Sequence, residues 1–439
     1  MASEYRDGAS VTRNTRRISH LDLGGAGQVY VYGDHAYVGH LPNKEGLGTS
    51  IINVADPTNP KLVSTIMLSD NASHSHKARV IGDVMIVNNE RNSQGIGRKA
   101  EQLPPMRAHL RDMLGRDATD AELAEKLGLK EKDISRLEKA DQDKYEEGGF
   151  KLYNVSDPSR PVFISHVKTG GIGVHRYDMD ENYAYISTEM DGYIGNILVI
   201  YDIRNPASPT EVSRWWMPGQ HLAGGEIPTW EGRKNRLHHA MRQGDTLWAG
   251  CWHAGLRIID ISDITKPTTI GEYSYHPPFP EPSHTFMGVP FQIGGRDIAI
   301  AIDEEDQYYS AEEAEVRRGR PHANLWVFDV TDPAHMQPLS IYQVSEADSP
   351  WSQVPGTRFG AHQFQEHMKD TLVYSAWFSG GLRIVDIADP LAPRETGYFI
   401  PEPVNGHPAP QTNDLDVDQR GLVYLVDRFN GFDIIEYTG

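Results

Sequence analysis

In three places a histidine stands six residues ahead of a turn residue: His76 before Gly82, His175 before Glu181 and His238 before Gly244. With one extra residue the same alignment reaches His362 in "AHQFQEHMKD", and it reaches His284 in "SHTFMGVPFQIGGRD". Neutral imidazole is the commonest side-chain ligand for zinc, copper, iron and nickel. Histidines recurring at one structural position would converge on an ion if that position faces a common axis. His76, His175, His238, His284 and His362 are therefore the expected ligands of a divalent transition metal. Iron is the first expectation, with copper, zinc or manganese as alternatives. His74 and His239 flank the set, either as substitute ligands or as groups that orient their neighbours. The competing reading is a ladder of structural histidines that ties strands together. Against it, these residues lie at the variable entrance of each repeated unit, not inside its constant phrase. The two units without a histidine offer Gly27 or Gln28, and Asn413, at the equivalent place.

Carboxylates recur nearby: Glu90, Glu189, the run Asp303 to Asp306, and Asp427 close strand-like segments, and Glu366 lies close to His362 in the chain. Some would fix imidazole tautomers. Glu189 and Glu304 are the expected proton-transfer groups. Arg428 is the expected anchor for an anionic substrate. A solvated loop charge or a structural contact is the alternative for each. There is no HExxH, phosphate loop, GxGxxG after a strand or GxSxG elbow. The lone Cys251 reads as a buried inert thiol.

Something must hold these side chains in register. "LRIIDISDITKP" (256–267) and "LRIVDIADPLAP" (382–393) are near copies. Others start at Ile51, Lys151, Leu198 and Leu325, and a truncated copy, "GFDIIEYTG", ends the chain. Each is a β-branched strand followed by a turn, with Asp56, Asp157, Asn205, Asp263, Asp332 or Asp389 at the turn position. A second pair of strand-like segments precedes each copy. The unit is four short antiparallel strands in about 45–60 residues, the size of a propeller blade. The expectation is an all-β, seven-bladed β-propeller over residues 14–439, closed by its N- and C-terminal strands, with 14–23 completing the last blade. Residues 1–13 are expected to be a flexible terminus.

The phrases "LVIYD", "LRIID" and "LRIVD" resemble the LVIVD-repeat family of bacterial and archaeal β-propellers. The resemblance implies the fold and is nearly silent on activity. It spans the chain except for a helical insertion in the second blade, residues 91–147. There Thr119 and Glu122 form a capping box, and Leu123, Leu127, Leu129, Ile134 and Leu137 supply apolar faces. Segment 115–140 resembles the helix-turn-helix region of bacterial sigma factors. Its balanced charge and its tethering at both ends favour a lid or packing element over a DNA reader.

The net charge of −19 argues against nucleic acid and anionic membrane as partners. No apolar run approaches the ~20 residues of a membrane helix, and the polar N-terminus lacks a signal core. One cysteine permits no internal disulfide. These features point to the cytoplasm. The expected function is a metal-dependent enzyme, an oxidase or oxygenase, acting on a small molecule at the axis. A metal-dependent hydrolase or lyase in the same pocket is the second expectation, and a non-catalytic interaction scaffold the third.

Overall fold

The computed structural model describes residues 10–439 apart from 93, 128, 143–144, 229, 231–234, 307–320, 356 and 405. The chain folds as an all-β propeller of antiparallel sheets. The first sheet runs Ala26–Tyr32, His35–His40, Leu47–Asn53, Lys61–Met67 in simple sequential order. The pattern repeats along the chain, each sheet starting from a strand at Ala78–Ile81, Gly170–Met179, Asn235–Gln243, Ser283–Gly288, Gln363–Phe364 or Thr412–Val417. Single bridges, Glu90 to Gly173 and Trp252 to Ser283, join neighbouring sheets into a nine-stranded and an eight-stranded sheet.

The repeated phrase makes a strand and then two successive Asx turns. In the Leu256 copy, Asp260 accepts the Ser262 amide at 2.7 Å and Asp263 accepts the Thr265 amide at 3.0 Å. Asp386 and Asp389 do the same for Ala388 and Leu391. A side-chain acceptor two residues back satisfies an amide that the strand ladder no longer reaches. The turn thus closes even at Asp263, where no proline follows.

The starting strands pack against one another in chain order, and Thr412–Val417 packs against Ala26–Tyr32. Apolar side chains fill the space between sheets, as where Ile300, Leu325, Phe364, Val373 and Val385 meet. Thr15–Leu21 pairs antiparallel with Gly431–Tyr437, Thr15 opposite Tyr437, so the N-terminal segment supplies the last sheet's fourth strand. Residues 11–13 depart from the expected flexible terminus. Val11–Arg13 pairs with Arg394–Ile400, because that edge offers unpaired backbone groups and Val11 is buried beside Tyr398 and Ile400. Residues 1–9 lie outside the described residues.

Between Val84–Arg91 and Gly149–Asn154 the chain leaves the sheet for α1 (Gln94–Leu114), α2 (Asp120–Lys126) and α3 (Ile134–Gln142). The Thr119–Glu122 capping box starts α2. Leu123, Leu127, Ile134 and Leu137 are buried with Leu103, Leu110 and Ile194, against Leu222 and Trp230 of the next sheet's loop. The apolar faces are spent on packing. Among the described residues no helix is long and apolar enough to cross a membrane.

Candidate functional site

Five of the seven starting strands enter their sheets through an irregularity. Pairing skips one residue at Gly27, His175, His284 and Asn413, and it jumps from Asn235 to His239 around His238. An extra residue in one strand re-aims its side chain out of the ladder. His76 and His362 stand just ahead of the regular pairing of their strands. The bulge turns His175, His238 and His284 out of their sheets, and His76 and His362 reach the same cluster from just ahead of theirs.

The structure brings all five together in chain order. Ring centroids are 5.1 Å apart for His76 and His175, 4.7 Å for His175 and His238, 4.0 Å for His238 and His284, and 4.5 Å for His284 and His362. Asn413 and Gly27 bridge the remaining gap: Asn413 Nδ2 donates to the Gly27 carbonyl. A Cβ at Gly27 would lie 2.9 Å from His76 Cβ, so that unit has no room for a side chain.

The hydrogen bonds divide the histidines by tautomer. His238 Nδ1 donates to the His284 carbonyl at 2.9 Å, and His362 Nδ1 donates to the Asn413 carbonyl. His284 Nδ1 meets Thr285 Oγ1 at 2.9 Å, and that hydroxyl donates onward to Gln363 Oε1 at 2.6 Å. His175 Nδ1 faces both Glu90 oxygens, at 2.9 and 3.1 Å. With Nδ1 holding the proton, Nε2 of a neutral ring carries a lone pair. Burial first, then the charges of nearby groups, push the pKa values of His238, His284 and His362 well below the usual histidine range. His175 Nε2 stands 2.9 Å from His238 Nε2. Two lone pairs do not face each other at that distance without a proton or a cation between them. Ligand atoms ~2.0–2.1 Å from one ion are about 3 Å apart when they subtend a right angle. The spacing therefore fits adjacent ligands of one ion.

His76 differs. Its Nδ1 accepts from Asn88 Nδ2 at 3.0 Å, and Asn88 is fixed because its Oδ1 accepts the Lys77 amide and its Nδ2 also reaches the Val174 carbonyl. His76 Nε2 then carries the proton and presents a donor. His76 is in the cluster, and in this neutral tautomer its lone pair lies at Nδ1, towards Asn88 and Glu90, and not at Nε2.

Two carboxylates serve the arc. Glu90, fully buried, lies 3.4 Å from His74 Nε2 and 3.7 Å from His76 Nδ1 besides its contact with His175. Glu304 lies 3.7 Å from His284 and 3.9 Å from His362, held by Arg358 Nη1 at 2.9 Å. Two sets have all their ligand atoms within 4.8 Å of one another: His74, His76 and Glu90, and His238, His284 and Glu304. Glu189 is turned to its own hairpin, where Oε2 accepts the Ile172 amide at 3.2 Å. Arg428 Nε donates to Asn413 Oδ1 at 2.7 Å and supports the residue that orients His362. Trp252, held at a φ of 53°, stacks on the His238 ring and lies under Arg236. A positive φ is costly for a bulky side chain, so the surrounding packing must impose it. The Cys251 thiol, pushed up to about 12 by burial, is no nucleophile.

The model of the LVIVD repeat matches residues 23–67, 178–215, 243–274 and 371–399. The chain carries LVIVD repeats. None of the aligned histidines falls in a matched stretch, so the repeat specifies the scaffold and leaves the site to the segments between. Among solved structures, the periplasmic gluconolactonase PpgL of Pseudomonas aeruginosa aligns at a TM-score of 0.53 and 12% identity, over 90% of this chain and 88% of that one. A Lactobacillus plantarum protein aligns at 0.54 and 11%, over 90% and 88%. At such identity the likeness is one of fold. No curated protein matches significantly.

Beneath the histidines of this LVIVD-repeat chain lies a buried polar layer that the sequence reading missed. Lys77 Nζ donates to Glu366 at 2.7 Å, and Arg79 pairs with Asp178 at 3.0 Å and with Glu366. Glu366, expected near His362, therefore belongs to this plug. Asp414 and Asp416 are each raised to about 7, chiefly by burial. The signal was present: "HKAR" (76–79) and "HRYD" (175–178) place charges at alternate residues after the histidine, which a strand turns to one face.

Proposed function

We propose that this chain is a metal-dependent enzyme acting on a small molecule at the mouth of a seven-bladed, ring-closed propeller. Closure is supported by the pairing of Thr15–Leu21 with Gly431–Tyr437 and by the packing of first strand on last. The observation that carries the metal reading is the 2.9 Å approach of His175 Nε2 to His238 Nε2 while both Nδ1 atoms are engaged by acceptors. His175, His238, His284 and His362 are the proposed ligands. Imidazole suits iron, copper and zinc alike. An ion there would polarise a bound oxygen atom or, as iron or copper, carry electrons between an organic substrate and dioxygen.

The chain's own groups do the rest. Glu90 orients His175 and strengthens it as a donor. The His284 and Asn413 carbonyls orient His238 and His362. His76 Nε2–H donates to a substrate atom. Glu304, steadied by Arg358, accepts or returns a proton at the arc's far side. Lys77, Arg79, Asp178 and Glu366 back the arc with a buried ion-pair network. Oxidation by dioxygen is the leading reaction class. Hydrolysis or elimination is the second reading, favoured by the placement of Glu304 between two imidazoles and an arginine. The lone buried Cys251 supports a cytoplasmic location.

The test is elemental analysis of untagged protein together with oxygen uptake. Iron or copper bound stoichiometrically, with oxygen consumed on substrate screening, supports the oxidase. Zinc or manganese moves the assignment to hydrolysis or elimination. A chain that binds no metal after reconstitution overturns the reading and leaves a scaffold.

A further inference from the structure

Arg176 follows His175 on the same strand and is 3% exposed. Its Nη2 lies 3.2 Å from His284 Nε2, while Nε and Nη1 have no hydrogen-bond partner among the described residues. Among those residues no carboxylate lies within salt-bridge distance of it, unlike Lys77 and Arg79 one layer down. Its charge lowers the pKa values of His76, His238, His239, His284 and His362, so it sits among them all. A guanidinium does not shed its proton in a protein, and the carboxylates that act on this one, Asp414, Glu366, Glu304 and Glu90, do so from beyond salt-bridge distance, leaving its fork without a direct anionic partner.

Two further buried donors lack partners among the described residues, His76 Nε2 and Gln363 Nε2. Gln363 is fixed by its Oε1, which accepts from Thr285. The histidine arc is thus accompanied by buried donors without partners and by one guanidinium with no carboxylate in direct contact. A planar monoanion gives the guanidinium fork the direct partner it lacks and matches its geometry. A phosphate dianion would overcompensate its charge beside Glu90, Glu304 and Glu366.

We propose that the substrate carries a carboxylate and that Arg176 anchors it beside the histidine arc, with His76 and Gln363 as additional donors. This rests on the metal-site reading for the position of the reacting end, but the anion site itself can be tested without metal. His284 Nε2 serves either Arg176 or an ion, so loading the metal frees a further guanidinium donor for the carboxylate.

The experiment is calorimetric titration of chelator-treated, full-length protein with acetate, with acetamide as the neutral control and inorganic phosphate and sulfate as rival anions. Acetate is expected to bind saturably at one site and acetamide not to bind. Arg176→Met should weaken acetate roughly tenfold or more, with Arg176→Lys intermediate. Because a variant at a buried charge can fail to fold, exchange broadening of 13C-labelled acetate by the wild-type chain gives a second readout. Absence of saturable acetate binding, binding of phosphate or sulfate in its place, or unchanged affinity in folded Arg176→Met would overturn the proposal. Metal content is measured separately, so a metal-free chain that still binds acetate refutes the metal reading and leaves the anion site standing.

Discussion

Glu90→Gln is the substitution whose effect follows most closely from the geometry. Glu90 is fully buried, its two oxygens lie 2.9 and 3.1 Å from His175 Nδ1, and His74 and His76 lie within 3.7 Å. Glutamine keeps the shape and one acceptor oxygen, so the His175 ring can stay in place. What is lost is the charge. A hydrogen bond to an ionised partner contributes about 1.5–3 kcal/mol and a neutral one about 1, a difference of ~1–2 kcal/mol. Loss of an orienting carboxylate behind a metal-bound histidine lowers affinity ~10–100-fold, in the same range. The assay is competition of Zn2+ or Co2+ between the protein and a chromophoric chelator, with thermal melting to verify the fold. A folded Glu90→Gln variant with wild-type affinity would refute the argument that Glu90 supports a ligand.

His238→Ala should abolish detectable metal binding, whereas His76→Ala should keep it within about tenfold, since His76 Nδ1 is engaged by Asn88; equal losses in the same titration would restore His76 to the ligand set. Gly250→Ala would place a Cβ 2.5 Å from the His284 carbonyl that anchors His238. It should destabilise the chain by ~1–3 kcal/mol in urea melts and weaken metal binding. Asp416 titrates at about 7 in the fold against 3.8 unperturbed. Its proton is bound more tightly in the folded state, so its stabilising contribution is full below pH 3.8 and lost as pH rises through about 7. Asp416→Asn should therefore reduce the fall in stability between pH 5 and 8 by about 2–3 kcal/mol; parallel pH profiles of the two proteins would count against it.

The scaffold was legible because its signal is local and repeated. A β-branched run and an Asx turn at Asp56, Asp157 and Asp389 need only neighbouring residues to act. Counting from those units aligned the five histidines, and the structure brings them into contact. Three features escaped. The tautomer of His76 depends on Asn88, a residue of the next strand whose amide is fixed by partners in two other segments. The prominence of Glu90 depends on sheet-to-sheet packing: Glu90 and Glu189 both close second strands, and Glu90 meets His175 of the next unit while Glu189 accepts the Ile172 amide of its own hairpin. The alternation in "HRYD" marks Arg176 as sharing a face with Asp178, but not that it meets the histidines: the bulge at His175 lets consecutive residues both point inwards, which strict alternation forbids. Val11–Arg13 pairs across nearly the whole chain, a partner that no local pattern reveals.

Anomalous diffraction from crystals of the metal-loaded chain would decide whether the histidine arc is a metal centre. The expected result is one strong peak ~2.0–2.2 Å from Nε2 of both His175 and His238, with His284 or His362 completing the set. No peak there, with His175 and His238 still in direct contact, would return the arc to a structural ladder.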